Sequence, residues 1–169
     1  MSEKKKSRPR RFGIVDTMFA RYDMGAAALA ELRDCPGYGE TFETVSVTVP
    51  GFKDLAVAAK VLIEKQKCDI VIALGMAGKA PIDKQCASEA AQGIMLAQLL
   101  TSTPILEVFV YEDEADDQNV LTSVFEQRSR KHARNAYWML FEPEQLRRRA
   151  GLGIRQGFED AGPLNLRIG

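Results

Sequence analysis

From Asp69 to Leu74 the chain reads Asp-Ile-Val-Ile-Ala-Leu, an apolar run with nothing polar after its first residue. A strand with one wet face alternates polar and apolar side chains. An unbroken run instead fits a strand covered on both faces, as in a parallel sheet flanked by helices. The neighbouring segments agree with that reading. Phe12–Asp16 is a short apolar run ending in an acid, Val45, Val47 and Val49 alternate, and Ile105–Tyr111 is a fourth strand pattern. Between them lie helical patterns. Asp23 is placed to cap a small-residue helix, and a second helix is expected from Leu55 to Lys65. A third is expected from about Cys86 to Leu100, with Ala90, Ala91, Ile94, Met95 and Leu99 on one stripe. The longest carries Val120, Leu121, Val124, Phe125, Ala133, Ala136, Tyr137, Leu140 and Phe141 at helical spacing, and Pro143 opens a short last one.

Strands alternating with helices predict an α/β fold: a four-stranded parallel sheet with helices on both faces, joined by right-handed crossovers. Ligands of such sheets bind beyond the carboxyl ends of the strands. Four segments follow those ends: Thr17–Asp23, Pro50–Asp54, Gly75–Asp83 and Glu112–Asp117. All carry polar or glycine-rich chemistry, and the corner Pro50-Gly51-Phe52-Lys53-Asp54 sets an aromatic ring, a cation and an anion side by side.

Composition excludes several classes. Lys and Arg number 23 and so do Asp and Glu, so no net field favours nucleic acid. No apolar run approaches the roughly 18 residues needed to cross a bilayer, so no membrane role is expected. The basic N-terminus, residues 1–11, has no apolar segment behind it and is expected to be a solvated arm rather than a secretory signal; residues 12–169 are expected to form a single domain. Three cysteines without CxxC spacing, Cys35, Cys68 and Cys86, argue against zinc and against a disulfide framework, which suits a reduced cytoplasmic protein.

Gly75-Met-Ala-Gly-Lys79 fails the Walker pattern, because the required earlier glycine is missing and Ala80 stands where Ser or Thr is needed. The acids Glu112, Asp113 and Glu114 complement the dipole of the helix that follows; carboxylates of this kind also suit a functional role or a magnesium contact. His132, the only histidine, sits mid-helix among Arg128, Arg130, Lys131 and Arg134 and is expected on a surface or interface, which disfavours a nucleophilic triad. Cys68 and Cys86 are expected to be packing residues.

The order of five motifs is more specific than any one of them. GIVDTMFARYDM, TVPGFKDLAVAAK, DIVIALGMAGK, EVFVYEDEADD and GIRQGFEDAGP together resemble the archaeal-type riboflavin synthases, relatives of lumazine synthase, over about Phe12 to Pro163. The resemblance implies a flavodoxin-like three-layer sandwich, as in lumazine synthase, assembled as a homopentamer with active sites between neighbours. It implies dismutation of two molecules of 6,7-dimethyl-8-ribityllumazine to riboflavin and 5-amino-6-ribitylamino-pyrimidinedione, with magnesium associated with the activity and no organic cofactor. Ser88 and Tyr111 stand where the family often has histidine, and Ala56 and Ala77 where it has proline. Under this resemblance the catalytic candidates are Lys53, Glu89 and Glu112. The substrate-binding candidates are Phe19, Arg21, Asp23, Pro50, Gly51, Asp54, Gly75, Met76, Gly78, Asp113, Glu114, Arg155 and Gln156. Lumazine synthase activity, or a non-catalytic flavin- or lumazine-binding role, are the other readings of the same motifs.

Overall fold

The computed structural model describes residues 8–156 and 159–164. Residues 1–7 of the basic arm, and Gly157 and Phe158 of the last motif, lie outside the described residues. The elements are β1 (Arg10–Thr17), α1 (Met24–Arg33), β2 (Phe42–Val49), α2 (Phe52–Glu64), β3 (Ile70–Ala77), α3 (Pro81–Thr101), β4 (Ile105–Tyr111), a 3₁₀ turn (Glu112–Glu114), α4 (Gln118–Phe141) and α5 (Pro143–Arg149).

The four strands form one sheet in the order β2-β1-β3-β4, every pairing parallel. The run at Asp69 explains why: every residue of β3 is buried, and β3 is an inner strand. Its side chains feed two cores. Ile70, Ile72, Leu74 and Met76 pack with α1 and α4 through Met24, Leu32, Phe125 and Tyr137. Val71, Ala73 and Ala77 pack with α2 and α3 through Leu55, Ala59, Ala90 and Ile94. The period of two in the strand and the two helical layers are therefore one arrangement seen from both sides.

Several boundaries differ from the sequence reading. Strand β1 begins at Arg10 rather than Phe12, and the polar end is held by Asp69: Arg8 and Arg10 bridge its carboxylate, and the Arg11 amide donates to it at 2.8 Å. Strand β3 continues through Gly75, Met76 and Ala77, which pair with Phe109, Val110 and Tyr111 of β4. The ladder outweighs the turn preference of glycine. Helix α3 begins at Pro81, five residues before Cys86, because proline at the first helical position loses no hydrogen bond and has its φ already set. On α3 the buried face is Ala87, Ala90, Ile94 and Ala97; the expected stripe members Met95 and Leu99 are exposed, Leu99 at 79%. On α4, Leu121, Phe125, Ala133, Ala136 and Tyr137 are buried as expected, while Val120 is exposed. No helix among the described residues is long and apolar enough to cross a membrane.

Candidate active site

In the order β2-β1-β3-β4 the chain runs outward to one side after β1 and to the other after β3, so the topological switch lies between these two strands. A crevice is expected beyond their carboxyl ends. A cleft of about 380 Å³ lies there, lined by Thr17 and Phe19 after β1, Pro50 to Asp54 after β2, Met76 and Gly78 at the end of β3, and Asp83 and Cys86 of α3.

The mixed corner at Pro50 forms one wall. Helix α2 starts three residues earlier than its apolar pattern suggests, so Phe52, Lys53 and Asp54 are its first turn and Gly51 is its N-cap. A Cβ on Gly51 would meet nothing within 4 Å, so bare backbone faces the cleft. Neither Gly51 nor Ala80, the N-cap of α3, offers a capping side chain. Two helix starts thus reach the cleft with first-turn N–H groups and the positive ends of their dipoles, which the first-turn carboxylates Asp54 and Asp83 partly offset. Asp54 is the third helical residue and not the cap, so it complements the dipole rather than closing the turn.

Lys53 Nζ lies 2.8 Å from Glu89 Oε2, and Gln85 Nε2 donates to the other oxygen of Glu89 at 2.9 Å. The hydrogen bond and charge of Glu89 raise the Lys53 pKa, and Lys53, followed by Gln85, lowers that of Glu89. Both side chains remain open to solvent, at 65% and 44%. The pair joins the start of α2 to α3 across the cleft mouth.

The ring of Phe52 turns inward. It meets Phe109 edge-on with centroids 4.5 Å apart, and a Cβ on Gly75 would stand 2.5 Å from it. Gly75 therefore makes room for Phe52 and is not on the cleft wall, whereas Met76 beside it is. Gly78 is covered by Asp83, whose Oδ2 would lie 2.3 Å from a Cβ there.

Arg21 and Asp23 border a neighbouring depression of about 370 Å³ with Asp16, Thr17, Ala20, Tyr22 and Thr48. Asp23 also caps α1, accepting from the Ala26 amide at 2.8 Å. The acidic turn after β4 is divided among three cations. Glu112 accepts from Arg21 at 2.5 Å, Asp113 from Lys84, and Glu114 from Arg128 through both oxygens at 2.7 and 2.5 Å. Glu114 also accepts from the Tyr111 amide at 2.7 Å, and Arg128 donates to the Phe109 carbonyl at 2.8 Å. Glu114 is thereby turned into the protein and away from a ligand. With each acid on a different cation, the turn does not offer a converging set of oxygens for magnesium, and no group of three or more His, Cys, Asp or Glu suited to a metal occurs among the described residues.

Arg155 and Gln156 are not brought to the cleft within one chain. The Arg155 amide donates to Asp160 at 2.9 Å, and Gln156 faces α4 and α5 near Trp138, over which Arg149 stacks at 4.2 Å. His132 is half-buried, and burial together with Arg128 lowers its pKa to about 4. Burial pushes the Cys35 and Cys68 thiols up to about 11, in keeping with packing roles. Cys86 differs, because it lines the cleft. The sequence reading placed Thr17, Phe52 and Asp83 within the rim segments without singling them out as site residues, and it missed Cys86 as a wall residue. The signal for the last two was the proline at 81, which puts both on the first turns of a helix aimed at the rim.

The sheet is flavodoxin-like, with a mostly apolar cleft at its switch point, and comparison with known proteins narrows the class. Residues 9–143 match the family model of 6,7-dimethyl-8-ribityllumazine synthase. The chain is 53% identical to the riboflavin synthase of Methanothermobacter thermautotrophicus, with 90% of this chain and 97% of that protein covered. It is 42% identical to the riboflavin synthase of Archaeoglobus fulgidus, with 91% and 98% covered. Similarity to the 6,7-dimethyl-8-ribityllumazine synthase of Thermus thermophilus is 37% over 70 residues, 40% of this chain and 45% of that protein. The chain belongs to the 6,7-dimethyl-8-ribityllumazine synthase family and, within it, to the archaeal-type riboflavin synthases.

Proposed function

We infer that the cleft binds 6,7-dimethyl-8-ribityllumazine and that the enzyme, a riboflavin synthase, converts two such molecules to riboflavin and 5-amino-6-ribitylamino-pyrimidinedione by transfer of a four-carbon unit. The observation that carries the substrate reading is the wall itself. Phe19, Pro50 and Met76 offer apolar faces for a flat ring, while first-turn N–H groups of two helices, the carboxylates of Asp54 and Asp83, and Lys53 supply polar partners around it.

The chemistry asks little of the protein beyond this. All atoms of the two substrates appear in the two products, so no oxidant or further reactant is consumed. The C7 methyl of one lumazine is acidic because its carbanion delocalises into the heterocycle, and the second lumazine is the electrophile. Holding the two face to face supplies roughly 7–11 kcal/mol of the barrier. Lys53, held at the mouth by Glu89, stabilises negative charge that develops on a ring. Glu89 is thereby a positioning group for Lys53, and Glu112 acts through Arg21 on the loop that carries Phe19.

We also propose a homopentamer. One chain leaves Ile82, Met95, Leu96, Leu99 and Leu100 of α3 and Val57 and Val61 of α2 exposed, large apolar side chains on two helices that pack together, as at a subunit contact. Among the described residues no group of three or more His, Cys, Asp or Glu suited to a metal occurs, and the steps above need no metal ion.

The test is the purified protein given the lumazine alone. Riboflavin and the pyrimidinedione are expected in equal amounts, from particles of pentamer mass by light scattering. Riboflavin formed only when a four-carbon phosphate is added, or binding without turnover, would instead favour lumazine synthase or a carrier.

A further inference from the structure

Thr17 is the last residue of β1, and its carbonyl is hydrogen-bonded. The residue is paired with Val49 in the register of β1 and β2, and the carbonyl accepts from the Ala20 amide at 3.3 Å. The hydroxyl is not bonded. Thr17 is only 6% exposed, and its Oγ1 has no hydrogen-bond partner. Elsewhere in the chain the hydroxyls of Thr41, Thr101, Thr103 and Thr122 bond to main-chain carbonyls, the usual recourse of a threonine without a better partner.

An orphaned buried hydroxyl is destabilising, and the great majority of buried polar side chains are satisfied. Ser129 is orphaned as well, but it is enclosed in the α4 core, whereas Thr17 lies on the wall of the cleft. It also borders the adjoining polar depression that contains Asp16, Tyr22 and Thr48. Thr17 alternates with Asp16 along β1 and falls on the same side as Val15, the side of α2 and α3, where the apolar cleft opens. The hydroxyl thus stands at the junction of a wall suited to a flat ring and a wall suited to hydrogen-bonding groups.

We propose that Thr17 is a substrate-binding residue whose Oγ1 is completed by an oxygen of the bound lumazine, either a ring carbonyl or a ribityl hydroxyl. This rests on the lumazine reading of the cleft. A threonine hydroxyl both donates and accepts, so it serves either group. Thr17→Val keeps the shape and removes this orphaned hydroxyl, so its effects on stability and on binding should have opposite signs.

The experiment compares wild type, Thr17→Val and Thr17→Ser by fluorescence titration with 6,7-dimethyl-8-ribityllumazine and with 6,7,8-trimethyllumazine, which lacks the ribityl chain, alongside thermal melts of the ligand-free proteins. Thr17→Val should bind the ribityl compound about tenfold more weakly, Thr17→Ser close to wild type, and ligand-free Thr17→Val should melt no lower than wild type. A penalty that survives on the trimethyl compound assigns the partner to the ring; one that vanishes assigns it to the ribityl chain. Unchanged affinity in Thr17→Val overturns the proposal. So does a clearly lowered melting temperature, which would show that the hydroxyl already has a partner inside the fold. Failure of wild type to bind either compound is a different result and removes the lumazine reading itself.

Discussion

Two ion pairs mark the rim of the sheet, and they differ in what surrounds them. Lys53 and Glu89 join the start of α2 to α3 across the cleft mouth with side chains 65% and 44% exposed. Arg128 and Glu114 join α4 to the turn after β4 with side chains 8% and 11% exposed, and carbonyl and amide groups of β4 complete the cluster. In water a single pair is worth little, and either partner can be lent to a ligand at small cost. In the interior the same two charges cannot be separated without leaving one of them desolvated and alone. The comparison separates chemistry from architecture on one rim: the open pair is available to substrate, and the closed pair fixes where the rim is.

The largest expected effect comes from the closed pair. Arg128→Met leaves Glu114 buried without its cation and should cost roughly 3–5 kcal/mol of stability, read by denaturant unfolding. A variant as stable as wild type would erase the distinction. Lys53→Met should do the reverse, with stability within about 0.5 kcal/mol of wild type and turnover down about tenfold or more while a lumazine analogue binds nearly as before. Normal turnover together with a lower melting point would make the mouth pair architectural too. The smallest effect is a titration. Glu89 is held below the ordinary glutamate range by Lys53 and Gln85, so what the pair contributes is present above that range and is lost as the pH falls through the lowered value. NMR titration of Glu89 in Lys53→Met should show its midpoint return toward the ordinary range; no movement would mean that the two groups do not interact in solution.

The fold was readable because its cause is local. A short apolar run with no alternation, set between helical patterns, fits an inner strand, and the helices between the strands announce themselves by spacing. Boundaries were less so. Met76 and Ala77 look like part of a glycine-rich loop until β4 pairs with them, and Phe52 looks like part of a turn although the helix has already begun. The rim segments were legible as a set, since topology alone brings strand ends together. Which side chain faces the ligand was not. Glu112, Asp113 and Glu114 are equivalent as letters, and only the positions of Arg21, Lys84 and Arg128, far along the chain, give them different partners. Lys53 and Glu89 meet for the same reason. Thr17 was legible only as the first residue of a rim segment, because a threonine at a strand end is ordinary until its hydroxyl is found without a partner.

The contact between Phe52 and Gly75 has a consequence for how this sequence can change over generations. The aromatic ring occupies the space that any side chain at position 75 would need. Neither position can therefore drift without cost: enlarging residue 75 first dislodges a ring wedged against Phe109, whereas trimming residue 52 first opens a void that a larger neighbour can refill. Descendant sequences should cross this pair by way of a smaller residue at 52 followed by alanine or larger at 75. The opposite order would pass through an intermediate that damages the start of α2, and with it the backbone of Gly51 and the placement of Lys53.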